Sequence, residues 1–409
     1  MNYYYYEDKN KLISFACIWI NGGSNLDKKD KKGLNHILIT LISRGCSGYD
    51  NFALSEFIDS YGAELNYQTF EDGILITLKS LKKYFDKLYP ILKLIVEKPN
   101  LDKNEFFYCK QIAKNHLIKS RENPFNIAFE NWRKIAYSDH PYAFETNGYL
   151  KDLDNINYED VLKEFLHFKK REKTFLSNCI TEAKSTKNII DLQDNDSSII
   201  YSECQFTEYL NSSKRILKYH FESNQLIIML GNQTCPQYSK DFLVLKLLEA
   251  HLSYGMSSEL FKQFREERGL TYEQGVFYPS RMLNAPFLIY LSVSNENALT
   301  AYNLLMNIWE SLKTNILNEK EIDLARKKLH GYLLHSQQTL EELLIRKAQL
   351  IGFNLNHDLE GKILKSLDQI KPEEIREIAN KYFIKSHISI VGKNEITNKI
   401  INLWNKSDV

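Results

Sequence analysis

An internal repeat is the feature that most constrains what this 409-residue chain can fold into. Leu12 and Leu226 open apolar runs, LISFACIWINGG and LIIMLGNQ, separated by 214 positions. Ile74 in GILITL and Ile289 in FLIYLSV stand 215 apart, Leu101 in LDKNEFFYCKQIAKNHL and Leu317 in LNEKEIDLARKKLHGYL stand 216 apart, and Leu153 in LDNINYEDVLKEF and Leu367 in LDQIKPEEIREIANKYF return to 214. Four segments in one order at nearly one offset mean two copies of one domain of roughly 200 residues, a size that supports its own core. The copies are read as 1–190 and 214–409. The polar stretch 191–213, containing LQDNDSS, is read as the linker.

Each copy carries the same patterning: an apolar strand, two helices, a strand pair, long helices, a short helix and a last strand. Strands are expected near 12–20, 65–70, 74–80 and 172–180, and again near 225–231, 271–280, 286–293 and 386–391. The helices starting near Asn104 and Glu319 carry apolar residues at three-and-four spacing under charged faces, the pattern of a helix that covers a core. Bunched strands and bunched helices predict an α+β fold, two homologous domains with helices on one face of a largely antiparallel sheet.

Charge and composition remove several function classes. Fifty-three basic residues against 52 acidic ones leave a net charge of +1, which does not recruit nucleic acid or an anionic membrane. No apolar run approaches the ~18 residues of a membrane span, and Leu12 to Ile20 reads as a buried strand rather than a signal peptide. Six scattered cysteines without CxxC spacing predict reduced thiols, no structural zinc cluster and a cytoplasmic location.

The segment Gly33-Leu34-Asn35-His36-Ile37-Leu38-Ile39-Thr40-Leu41-Ile42-Ser43-Arg44-Gly45 resembles the zinc helix of the pitrilysin/insulinase metallopeptidases, G-x-x-H-x-x-E-H followed by an apolar pair, a basic residue and Gly. In that family two His at i and i+4 bind zinc and the Glu between them is the general base. The frame is kept and the chemistry is not: His36 takes the first ligand position, Ile39 that of the base and Thr40 that of the second ligand. The third ligand, a Glu on a later helix, falls on Asn115 or His116. The resemblance extends through GAELNYQTFEDGILITL, similar to the family's substrate-side strand, with Asn66 retained and Tyr67 where a small residue is usual, and through Ser138-Asp139-His140-Pro141-Tyr142. In the second copy, Phe264-Arg265-Glu266-Glu267-Arg268-Gly269-Leu270-Thr271-Tyr272 resembles the family's second signature. Its Arg and Tyr bind substrate near the scissile carbonyl, and Arg265 and Tyr272 match them.

Zinc hydrolysis needs three protein ligands, an open position for water and a base beside it. Isoleucine takes no proton and threonine offers a neutral hydroxyl, so this chain is expected to hold no metal and to be silent alone. The resemblance implies a substrate-binding, oxyanion-stabilising subunit, half of a clamshell. Its partner would be a homologous chain bearing HxxEH and the zinc, as a heterodimer, with a homodimer as the other arrangement and a peptide as substrate. A scaffold or peptide-binding protein of the same fold and a standalone peptidase with rewired ligands around His36 and His116 are the competing readings.

Overall fold

A computed structural model describes residues 1–8, 12–179, 187–189 and 215–406. In chain order the strands are β1 (Asn2–Tyr5), β2 (Ile13–Asn21), β3 (Glu64–Thr69), β4 (Gly73–Leu81), β5 (Lys173–Ser177), β6 (Lys187–Asn188), β7 (Ile216–His220), β8 (Gln225–Gln233), β9 (Thr271–Phe277), β10 (Pro286–Ser294) and β11 (His387–Gly392). The helices are α1 (Leu34–Ile42), α2 (Asn51–Ser60), α3 (Phe85–Glu97), α4 (Lys103–Ser120), α5 (Pro124–Tyr137), α6 (Leu150–Asn155), α7 (Tyr158–Lys170), α8 (Asp241–Ser253), α9 (Ala298–Thr314), α10 (Glu319–His335), α11 (Leu340–Gly352), α12 (Leu359–Ser366), α13 (Pro372–Tyr382) and α14 (Asn394–Trp404).

Two sheets result, one in each of two compact units. The first has the order β3-β4-β2-β5-β1-β6 and the second β7-β11-β8-β10-β9. The pairs among β3, β4, β2 and β5, and among β9, β10, β8 and β11, are antiparallel. These are the eight strands expected from the apolar patterning, and the α+β class with mostly antiparallel sheets holds. The three further strands, β1, β6 and β7, all join by parallel pairing. They are short, and β7 grades from half-buried to exposed, so they carry no clean alternation. β1 and β7 start 214 residues apart and occupy matching positions beside β5 and β11, which extends the repeat by one strand.

The period of two along β2 explains how the first sheet is covered. Ala16, Ile18 and Ile20 point into a core shared with Ile37, Leu38 and Ile42 of α1 and Leu88, Leu92 and Ile95 of α3. Phe15, Cys17 and Trp19 point the other way, onto Leu344 and Ala348 of α11. Both faces are thus buried, which is why the strand reads as an almost unbroken apolar run. The contact with α11 is close. The Asn21 amide donates to the Gly352 carbonyl at 2.5 Å, Phe353 meets Trp19 edge-on at 5.3 Å, and a Cβ on Gly352 would come within 2.4 Å of the Trp19 ring.

That helix belongs by sequence to the second copy. Its counterpart α5, begun by Asn123 as cap and Pro124 in the first turn, belongs by sequence to the first copy and packs on the second sheet. The Trp132 indole donates to the His387 carbonyl at 3.1 Å, the Tyr137 hydroxyl to the Asn284 carbonyl at 2.8 Å, and Phe129 meets Phe277 at 5.1 Å. The compact units are therefore discontinuous: 1–119, 144–179, 187–189 and 336–359 form one, and 120–143, 215–335 and 360–406 the other. The expected contiguous blocks 1–190 and 214–409 differ from this by one exchanged helix each. The expected linker 191–213 lies outside the described residues.

Cys17, Cys46, Cys109, Cys179 and Cys235 are free and buried, and Cys204 lies outside the described residues. No described helix is long and apolar enough to cross a membrane.

Candidate functional site

The start of α1 is fixed by a residue that the motif does not contain. The Asp27 carboxylate accepts the backbone N–H of Gly33 at 2.8 Å and of Asn35 at 3.0 Å, and the Asn35 amide at 2.7 Å. Burial pushes this carboxyl up to about 6, against the pull of those donors. Gly33 sits at φ +96, where a Cβ would meet the Asn147 carbonyl at 2.7 Å, so only glycine serves there. Nothing in the local sequence marks Asp27, because its partners lie across an irregular loop.

Along α1 the three motif positions have different fates. Ile39 is fully buried in the core. Thr40 is buried and its hydroxyl donates to the His36 carbonyl at 2.8 Å, a helix-internal bond that occupies the proton. His36 is half-buried. Burial, and secondarily the imidazole of His116, push it down to about 4, so it is neutral at pH 7. The structure thus brings His36 and His116 within electrostatic reach, with α4 supplying the second imidazole. Asn115 beside it is exposed and accepts from Gln111 at 3.0 Å. Among the described residues no three His, Cys, Asp or Glu side chains gather closely enough to hold a metal ion. Two imidazoles, an alkyl group and a committed hydroxyl do not fit a catalytic zinc site.

Arg265 and Tyr272 lie on irregular backbone in the second unit. Arg265 is in a π-helical turn, Phe261–Glu266, a widened geometry that recurs at functional positions. The turn closes through Gly269 at φ +58, whose N–H donates to the Arg265 carbonyl at 3.1 Å, a glycine-terminated helix end. The guanidinium is exposed, lies 5.4 Å from the Phe261 ring and makes no ion pair among the described residues, while Glu267 takes Arg268 at 2.8 Å and Lys262 at 3.9 Å. Tyr272 is 64% exposed. The β9–β10 register pairs Ser292 with Glu273 and then Val293 with Thr271, which leaves Tyr272 as the extra residue of a β-bulge. A bulge re-aims a side chain, and this one falls on the outermost strand of its sheet.

Asn66 and Tyr67 occupy the equivalent outer strand of the first sheet. β3 pairs only with β4, and both side chains are exposed. β3 and β9 are therefore both edge strands with unpaired backbone groups, able to accept an added strand. Neither the bulge nor the π-turn is visible from residue types, since both are properties of pairing and of turn closure.

Comparisons with known proteins agree with this fold. The model of the insulinase family, peptidase family M16, matches residues 4–148, and that of the peptidase M16 inactive domain matches residues 182–329. A protein of Rickettsia felis named an uncharacterized zinc protease is 24% identical over 401 residues, covering 91% of each chain. A Helicobacter pylori protein named non-peptidase homolog YmxG is 20% identical over 404 residues, covering 97% of this chain and 91% of its own. The crystal structure of a peptidase M16 inactive domain from Pseudomonas fluorescens shares the fold, with a TM-score of 0.79 at 20% identity over 96% of this chain and 95% of that one. With an insulinase match in the first copy, an inactive-domain match in the second and the fold spanning both, the chain belongs to the M16, or pitrilysin/insulinase, peptidase family.

Proposed function

We propose that this chain is a non-catalytic subunit of a two-chain zinc peptidase, binding peptide and donating hydrogen bonds to the reacting carbonyl. One contrast carries the reading: Ile39, at the position of the base, is sealed in the core, while Arg265 and Tyr272 stand exposed and without ion pairs. A homologous partner with an intact HxxEH helix would bring the zinc, which supplies the activated water. This chain's part is to hold and orient. The β3 edge, with Asn66 and Tyr67, offers main-chain pairing to an extended peptide, a mode with weak sequence demands. The Arg265 guanidinium and the Tyr272 phenol are hydrogen-bond donors suited to a developing oxyanion, and the two chains would close on the substrate like a clamshell. In support, the curated relatives include both a zinc protease, PqqE, and a non-peptidase homolog from one organism, Helicobacter pylori.

The test is co-expression with the homologous HxxEH chain of the same cell, followed by zinc analysis and cleavage of an unstructured peptide. Arg265→Ala is expected to lower kcat of the complex about 10²-fold without dissociating it, and Tyr272→Phe by a smaller factor. A partner that cleaves equally well alone would sink the proposal. The name of the Helicobacter pylori non-peptidase homolog favours a second reading, a peptide-binding protein with no active partner. Under that reading the chain binds peptide with no HxxEH chain present, and Arg265→Ala changes no turnover.

A further inference from the structure

The segment from Phe261 to Gly269 holds two arginines and treats them in opposite ways. Arg268 is spent on local acceptors: its guanidinium donates to the Gln263 carbonyl at 2.9 Å, to the Gln263 amide oxygen at 2.7 Å and to the Glu267 carboxylate at 2.8 Å. Arg265 donates to no carbonyl or side chain among the described residues. The contact it does make is with the half-buried Phe261, whose ring centre lies 5.4 Å from the guanidinium carbon.

The backbone under Arg265 leaves little to adjust. Phe264 is fully buried, its carbonyl takes the Leu270 N–H at 2.7 Å, and the Arg265 carbonyl takes the Gly269 N–H at 3.1 Å. The Glu267 N–H reaches back to the Lys262 carbonyl at 3.0 Å, the five-residue bond of a π-turn. The Cα is thereby fixed, and what remains free is the rotamer of a long side chain. A carboxylate neighbour would restrict that rotamer by consuming N–H donors. A ring restricts it by electrostatic attraction to its face and consumes none of them.

We infer that Phe261 is the positioning residue of Arg265, holding the guanidinium in place while leaving its donors unspent for a developing oxyanion. Phe261 acts in this role only through Arg265, and the inference rests on the peptidase reading proposed above. The experiment is a double-mutant cycle in the complex co-expressed with the HxxEH chain, followed by cleavage of the unstructured peptide. Phe261→Leu removes the ring and is expected to lower kcat about threefold, the scale of an exposed cation–π contact. KM is expected to stay unchanged, because the guanidinium serves the reacting carbonyl rather than the bound ground state. Phe261→Tyr keeps the ring and is expected to match the parent. With Arg265→Ala already in place, Phe261→Leu is expected to change nothing further, since no guanidinium remains to be held. A phenylalanine that only supports the fold would slow both backgrounds by the same factor, and that result would overturn the inference. A Phe261→Leu complex as fast as the parent, beside a slow Arg265→Ala complex, would overturn it too and leave the peptidase reading standing. Parent turnover in Arg265→Ala itself is the separate outcome that removes the peptidase reading and this inference with it. Phe261→Met makes the same comparison where Phe261→Leu does not assemble.

Discussion

The helix α1 and the segment from Phe261 to Tyr272 hold two different kinds of frame. In α1 the glycine-initiated turn and the apolar seam are present, and the positions where the base and the second ligand would stand are absorbed by packing, with Ile39 in the core and the Thr40 proton committed to the helix. In the second segment the reverse holds: regular geometry is broken twice, by a π-turn and by a bulge, and the two polar side chains at those breaks remain turned to solvent. A position that contributes to stability is recognised by burial. A position that contributes to recognition is recognised by exposure at a cost in backbone regularity.

The sharpest way to break this contrast is Ile39→Glu. A carboxylate placed in a fully buried apolar site is expected to cost about 4 kcal/mol in urea unfolding, and zinc should return none of it. A loss below about 1 kcal/mol would mean that α1 still has room for a catalytic carboxylate.

Acid tests the same packing more broadly. His140 and His387 are almost fully buried and pushed down to about 4, and the half-buried His36 and His251 shift the same way. An imidazole depressed in the folded state takes up its proton first in the unfolded chain, so stability falls as pH drops from about 6.5 towards 4, by roughly 3 kcal/mol for each fully buried ring. Asp27, raised to about 6, works in the opposite direction, since its contribution shrinks as pH rises from about 4 to 6. Denaturant melts at pH 7 and pH 5 are expected to show the imidazoles prevailing, and replacing His387 by Gln should flatten the dependence.

A smaller effect is expected from Asp27→Ala. Losing the acceptor for the first turn of α1 should cost about 1–2 kcal/mol, read as a drop in melting temperature. Arg265→Ala should be the mildest, within about 0.5 kcal/mol of the parent, because the guanidinium is exposed and unpaired. A larger loss would make it a structural residue and weaken the contrast with α1.

Much of this was legible from residue order. The central strands of both sheets announce themselves because burial on one or both faces imposes alternation or a continuous apolar run, as in β2. The missing base at Ile39 and the missing ligand at Thr40 are visible as residue types. Three things were not legible. β1, β6 and β7 are too short to imprint a period. The bulge at Tyr272 exists only as a relation between two strands, and register leaves no mark on one of them. The destination of α5 and α11 was hidden too, because an amphipathic pattern states that a helix has an apolar face without stating which sheet receives it.

The exchanged helices set a timetable for synthesis. As the chain leaves the ribosome, Phe15, Cys17 and Trp19 are made early, yet Leu344 and Ala348, which cover them, emerge more than three hundred residues later. Throughout that interval one face of the nascent sheet stays sticky, a surface that chaperones bind and that truncated products cannot hide. A gene cut between the repeats would therefore yield two aggregation-prone fragments rather than two independent proteins.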